Sequence, residues 1–437
     1  MKQMEQAISE QLMDRLIEKS RAILHKNDAG GFTVPTRNGL YPAQWNWDSA
    51  FVSLAFAYVG EADRGWQEIE MLLNAQWPNG MVPHIVFHID DSGYFPNSQV
   101  WQAGEAVPSS GISQPPVLAT FVRRIIERED CTPDDWEKLR EVFPKLLNYH
   151  RWYHETRNYR GMVKIIHPWE SGFDNNQTYD KALYNVPLDD LEPYQRQDIR
   201  HAGADQRPHN SDYDHYIALV QFFRSLNYDA RRCSAESPFQ LTDIGVNSML
   251  LRADRDLLAL ARMLGHPTDE LEKWIQVLSA ALEECWSSEL SMYIPYDVCA
   301  NTSVSMPSIN GMLPLFGLES MQPERLEALC SVIIRWMESV KYGLPCFDPD
   351  DDRFEPYRYC RGPAWPVWSW LVAQGLRQHG KHELASHIRE KTLELLNTFD
   401  FYEFFDPQRG IGGGGSSFSW SAAMTVLFLR EMTAGGS

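Results

Sequence analysis

The sequence predicts an all-α protein in which six helical hairpins close into an (α/α)6 toroid, with its long loops gathered on one face. Three observations carry that expectation. Apolar residues recur at helical spacing in segment after segment, while strand-like alternation is short and rare. The connections between successive segments alternate between tight and long. Aromatic and polar residues cluster just before four of the segments, at Trp45-Asn46-Trp47-Asp48, Gln114-Pro115, Arg361-Gly362-Pro363 and Phe418-Ser419-Trp420.

The periodicity places principal helices near 4–25, 48–61, 63–77, 115–129, 133–156, 240–264, 267–287, 308–317, 322–338, 363–378, 381–398 and 418–432. A further helix near 211–226 stands outside the series. Thr132-Pro133 and Thr268-Asp269-Glu270 supply a cap or an acidic first turn, and Gly265 and Gly380 sit where a helix must stop. The gaps Gly60 to Asp63, Gly265 to Pro267 and His379 to Gly380 are tight, which favours antiparallel neighbours. The gaps 26–47, 78–114, 157–239, 288–307, 339–362 and 399–417 are long, and long loops in a compact domain are usually functional. Pairing helix 418–432 with helix 4–25 closes the ring and sends every long loop to the same end. The expected organisation is one catalytic domain over 1–434, with an inserted loop and helix region at 157–239.

A chain of 437 residues with 43% hydrophobic content can bury a sizeable core, and an aromatic share of 12% with 15 Trp exceeds what a core alone needs. A net charge of -19 without a basic stripe argues against a nucleic-acid partner. The acidic run Asp348 to Asp352 lacks the glycine and terminal Glu of a calcium loop and reads as solvated. Seven scattered cysteines, none in a C-x-x-C pair, favour a reducing, cytoplasmic setting over a disulfide framework. The charged, amphipathic N-terminus and the lack of any long apolar run point to neither a secretory signal nor a membrane span.

Two segments offer acid–base chemistry. His167-Pro168-Trp169-Glu170-Ser171-Gly172-Phe173-Asp174 puts two carboxylates in a turn-rich loop beside a Trp, where apolar walls let a carboxyl keep its proton near neutral pH. The plainer alternative for Asp174 is a local Asx-turn. Glu403 lies among aromatics in Tyr402-Glu403-Phe404-Phe405-Asp406-Pro407, ahead of the flexible run Gly410-Ile411-Gly412-Gly413-Gly414-Gly415; alternatively it is a surface Glu on a loop. Inverting glycosidases hold two carboxyls roughly 6.5–9.5 Å apart, with a water between base and sugar, so a distant partner is expected. The glycine run follows no strand and lacks a Lys-Ser/Thr ending, which argues against a phosphate cradle. His150 and His154 sit at helical spacing on a proposed outer helix without a complete metal motif, and His84 suits a substrate hydroxyl better than a metal.

Taken in order, WNWDSAF (45–51), SQPP (113–116), PWESGFDNN (168–176), QRPHNSDYDHY (206–216), YCRGPAW (359–365) and EFFDPQRGIGGGGSSFSWSAA (403–423) resemble glycoside hydrolase family 63. The likeness is greatest to its short bacterial glucosylglycerate and mannosylglycerate hydrolases, related to trehalases, and it spans nearly the whole chain. It implies inversion at the anomeric carbon with no metal or organic cofactor, Asp174 as general acid and Glu403 as general base. It also implies a sugar subsite lined by Tyr41, Trp45, Trp47, Asp48, Tyr359 and Trp365, with His84, Tyr94 and Gln114 nearby. Arg207 and Tyr213 match the pair that holds a glycerate carboxylate in those relatives, a role suited to a planar guanidinium. The plainer alternative is an Arg207 paired with Asp205 or Asp212. Cys360 stands where the family more often has Trp, and His209-Asn210 replaces a more usual Thr-Asp.

The expected activity is therefore an inverting α-glycosidase acting on a small α-linked hexoside, glucosylglycerate or mannosylglycerate first. A trehalose-like or other α-glucoside is an alternative, as is a sugar epimerase or isomerase on the same toroid. The expected partner is a small carbohydrate, with neither nucleic acid nor membrane; a homo-oligomer is compatible with the chain.

Overall fold

In the computed structural model, residues 10–433 are described, apart from Asp90 and Glu105. Residues 4–9 of the first predicted helix, and the two ends of the predicted 1–434 domain, lie outside them.

Helices Asn46–Tyr58, Leu118–Ile126, Ile244–Leu264, Pro314–Gly317, Pro366–Gln378 and Ser419–Thr433 pack side by side in that order, and the last returns to the first. This is the inner ring of an (α/α)6 toroid. Outside it, Ala62–Leu73 pairs with the first inner helix, Pro133–Thr156 with the second, Asp269–Glu283 with the third and His382–Phe399 with the fifth. Helix Glu10–Asn27 packs on Ser419–Thr433, so the two ends of the chain close the ring as the sequence predicts. Burial follows the layers. Asn46 through Ala57 are all buried, whereas Asp269–Glu283 buries only Leu271, Leu278 and Leu282, one stripe of an amphipathic helix.

Local chemistry explains the ends. Thr132 caps Pro133–Thr156 in a capping box with Asp135, whose carboxylate also accepts the Trp66 indole N–H at 2.6 Å. Asp243 caps Ile244–Leu264 by accepting the Val246 N–H at 2.8 Å, and Gly265 ends that helix at φ +74.

The structure departs from the sequence reading in four places. The helix expected at 308–317 is a 3-10 turn, Ile309–Met312, followed by the single turn Pro314–Gly317; Pro314 has no N–H to continue the ladder, and Leu318 is extended. Helices expected over 240–264 and 267–287 are trimmed by strands Leu241–Thr242 and Trp286–Ser287. The long loops are not structureless, since short antiparallel pairs brace them, including Tyr402–Phe405 against Gly412–Ser416. The acidic run is held rather than merely solvated, with Arg335 bridging Asp348 at 2.6 Å and Asp350 at 2.7 Å. All seven cysteines are free thiols.

Candidate active site

A pocket opens at the loop end of the ring, and every long loop except 288–307 contributes to its lining. Tyr41, Trp45, Trp47 and Asp48 come from the first loop and the helix it enters, His84, Tyr94 and Gln114 from the second. Asp174, Arg207 and Tyr213 come from the third, Tyr359 from 339–362, and Glu403 from the last. Trp365 is the exception among the expected sugar-subsite residues. It is buried behind the wall, its ring 4.9 Å from Phe404 and 5.5 Å from Trp420, and it supports the pocket instead of facing it.

Glu403 is placed by a bulge. Strand Tyr402–Phe405 shifts register against Gly412–Ser416 between Tyr402 and Phe404, so Gly414 and Gly415 both lie against Glu403. A Cβ on Gly414, at φ +71, would stand 1.9 Å from Glu403 Oε2, so this position requires glycine. The Gly415 N–H donates to Oε2 at 3.3 Å and the Tyr41 hydroxyl to Oε1 at 2.9 Å.

Asp174 follows the 3-10 turn Pro168–Ser171 and the left-handed Gly172, where a Cβ would meet Trp47 at 2.7 Å. Phe173 is buried against Trp368, and the Tyr216 hydroxyl donates to the Asp174 carbonyl at 2.7 Å, which leaves the carboxyl at the pocket. The other acid of this motif has a different use. Glu170 is buried, accepts Arg157 Nη2 at 2.8 Å and the Ile166 N–H at 2.8 Å, and ties the loop together.

Burial pushes Asp174 up to about 6, against the pull of the Arg207 charge. It pushes Glu403 up to about 7, against Arg207 and the donors Tyr41 and Gly415, and nearby Asp174 adds to the rise. Asp48 rises to about 8, through burial and then Glu403. His84 is held neutral by burial and by His167.

Arg207 pairs with neither Asp205 nor Asp212. Its Nε donates to Asp198 at 3.1 Å and its Nη1 to the Tyr41 hydroxyl at 2.8 Å, with the guanidinium 4.4 Å from the Tyr359 ring centroid. Asp212 instead accepts from Tyr184, Asn175 and the His209 N–H. Tyr213 donates to the Phe95 carbonyl at 3.2 Å. His150 and His154 both contact Asp254, at 2.7 and 2.9 Å, away from the pocket.

The sequence reading missed Asp198, which sits in a polar stretch where nothing marks it out. Trp169 and Trp420, read only as neighbours of the key segments, also line the pocket.

A closed ring of six inner helices, with the carboxyls of Asp48, Asp174 and Glu403 facing one aromatic-walled pocket, defines a glycoside hydrolase of the α/α toroid class. Within that class the chain belongs to a particular family: residues 41–421 match the mannosylglycerate hydrolase MGH1-like glycoside hydrolase domain. The chain is 43% identical over 417 residues to a mannosylglycerate hydrolase from Thermus thermophilus, covering 94% of this chain and 100% of that one. It is 31% identical to a glucosylglycerate hydrolase from Mycolicibacterium hassiacum, over 95% of this chain and 98% of that one. The crystal structure of a GH63 mannosylglycerate hydrolase from Thermus thermophilus in complex with Tris and D-glycerate superposes with a TM-score of 0.91 at 42% identity, covering 94% and 99% of the two chains. A neutral trehalase from Saccharomyces cerevisiae shares the fold alone, at a TM-score of 0.57 and 15% identity over 91% of this chain and 73% of that one. None of the helices among the described residues is long and apolar enough to cross a membrane.

Proposed function

We propose that this chain hydrolyses an α-hexoside of glycerate, mannosylglycerate or glucosylglycerate, with inversion at the anomeric carbon. The observation that carries it is the juxtaposition of Asp174, Glu403 and the cationic Arg207 on one pocket. Mannosylglycerate hydrolase and glucosylglycerate hydrolase among the relatives, and D-glycerate in a structural neighbour, support the anionic aglycone.

In this reading the hexose lies among Tyr41, Trp45, Trp47, Asp48 and Tyr359, with His84, Tyr94 and Gln114 at its rim and Trp365 as backing. Arg207 and Tyr213 hold the glycerate carboxylate. Asp174 protonates the glycosidic oxygen while Glu403 deprotonates the attacking water. Burial raises both carboxyls and the Arg207 charge is the largest influence holding each down, while the Tyr41 and Gly415 donors favour the ionised form of Glu403 that a base requires. Seven free thiols fit a cytoplasmic enzyme of carbohydrate metabolism, and residues 157–239 act as an insertion in a single catalytic domain.

The test is proton NMR with α-mannosylglycerate, α-glucosylglycerate and trehalose. We expect β-hexose to appear first from a glycerate glycoside, and Asp174→Asn and Glu403→Gln each to lower kcat by about 10³-fold or more. Initial release of α-hexose overturns inversion; hydrolysis of trehalose alone overturns the glycerate reading.

A further inference from the structure

Arg207 is one member of a buried network. Asp198 Oδ2 accepts Arg207 Nε at 3.1 Å, and the same carboxylate takes a two-point grip from Arg196, Nη2 to Oδ2 at 2.7 Å and Nε to Oδ1 at 3.0 Å. Arg196 then donates from Nη1 to the Pro208 carbonyl at 2.9 Å and to Asn210 Oδ1 at 3.0 Å, which fastens the chain just beyond Arg207. Its guanidinium lies 4.2 Å from the centroid of Tyr213. Arg196, Asp198 and Arg207 are 8%, 7% and 6% exposed, so all three are withdrawn from water. On its other side Arg207 donates to Tyr41, which donates to Glu403.

Burying two cations and one anion is costly unless each is fully engaged. Burial alone would raise Asp198, but Arg207 and Arg196 outweigh it and keep the carboxylate ionised. Two guanidinium groups share this one carboxylate, and Arg207 is the member of the pair that lines the pocket. By occupying the Nε edge of Arg207, Asp198 fixes which edge of the guanidinium meets a ligand. A lone arginine on a flexible stem would present its charge over a wide arc.

We propose that Asp198, clamped by Arg196, is a positioning residue that aims Arg207 and thereby sets the preference for an anionic over a neutral aglycone. This rests on the reading of the aglycone as a carboxylate. Because Arg207 also reaches Glu403 through Tyr41, the same carboxylate links recognition of the aglycone to the acid–base pair.

The experiment compares wild type, Asp198→Asn, Asp198→Glu and Arg196→Lys on the α-hexosyl glycerate and on its neutral glycerol counterpart, with D-glycerate as inhibitor. Asp198→Asn is expected to raise KM for the glycerate glycoside by about 10- to 100-fold, the scale of a group displaced by about 1 Å, with a smaller fall in kcat. D-glycerate inhibition weakens in parallel, the neutral glycoside is little affected, and Asp198→Glu recovers part of the loss. Removing the Asp198 charge, which favours protonated Asp174, also moves to lower pH the limb of the kcat/KM profile that Asp174 sets. Equal losses on both substrates, with inhibition and pH profile unmoved, overturn the proposal. If Asp198→Asn fails to fold, Arg196→Lys keeps the carboxylate and gives the same KM and inhibition readings, with the pH profile in place. If wild type ignores D-glycerate and shows no preference for the charged substrate, the carboxylate reading fails, and kinetic constants of Asp198→Asn equal to those of wild type on whichever α-hexoside is cleaved then overturn the positioning role separately.

Discussion

Asp48 holds its proton to about pH 8, because burial and then the neighbouring Glu403 both disfavour another negative charge in the pocket. The unfolded chain releases that proton near 4. A carboxyl raised on folding contributes stability that is complete below the unfolded value and is lost as pH rises through the folded one. Across that window this one group should erode stability by about 1.4 kcal/mol per pH unit. Asp48→Asn is therefore expected to raise Tm over wild type by a margin that grows between pH 5 and pH 8, while activity falls because Asp48 lines the pocket. Thermal unfolding at several pH values checks this, and a margin independent of pH contradicts it. Asp174 and Glu403 act in the same direction over narrower windows, ending at about 6 and about 7. These carboxyls stood out in the sequence because turn residues and aromatics surround them. Asp198 did not, since what makes it matter is contact with Arg207, and no spacing rule encodes that contact.

The element that most changes on folding is the segment ahead of the last helix. Its glycines read as a flexible loop, yet Gly412–Ser416 is a strand paired with Tyr402–Phe405, bulged where Glu403 points inward. The composition has a steric cause: Gly412, Gly413, Gly414 and Gly415 each lie so close to a facing side chain that a Cβ would collide. Gly414→Ala is expected to cost about 1–3 kcal/mol, through left-handed backbone and the clash with Glu403. It should also lower kcat by about 100-fold by displacing the base. Chemical denaturation and steady-state kinetics measure the two effects, and wild-type kcat in the folded variant would show that the bulge does not place Glu403. Pro314 teaches a similar lesson. The apolar periodicity around it suggested one helix, but the missing N–H splits the segment into two short turns, and the ring still closes through packing.

Across the molecule, the ring depends on joining the two ends of the chain. Asn27, fully buried at the end of helix Glu10–Asn27, donates to the Ser417 carbonyl at 2.8 Å and to Ser419 Oγ at 2.9 Å, where the last inner helix begins. Ser419 in turn donates to the Val34 carbonyl at 2.9 Å. Asn27→Ala leaves these buried acceptors without their partner, and should lower stability by about 2–3 kcal/mol with catalysis intact at temperatures where the fold persists. Urea unfolding gives the first quantity and kcat/KM the second; an unchanged midpoint would locate ring closure elsewhere.

The sequence by itself determined the helices, their alternation of tight and long connections, and the segments that carry Asp174 and Glu403. These are local properties, written in 3.6-residue periodicity, caps and turn residues. The tertiary structure decided which side chains converge. It turned Glu170 toward Arg157 and Asp174 toward the pocket, placed Trp365 behind the wall, gave Arg207 to Asp198, and joined Arg207, Tyr41 and Glu403 in one hydrogen-bonded chain. Those choices depend on distances through space between segments far apart in the chain, and only closure of the ring sets them.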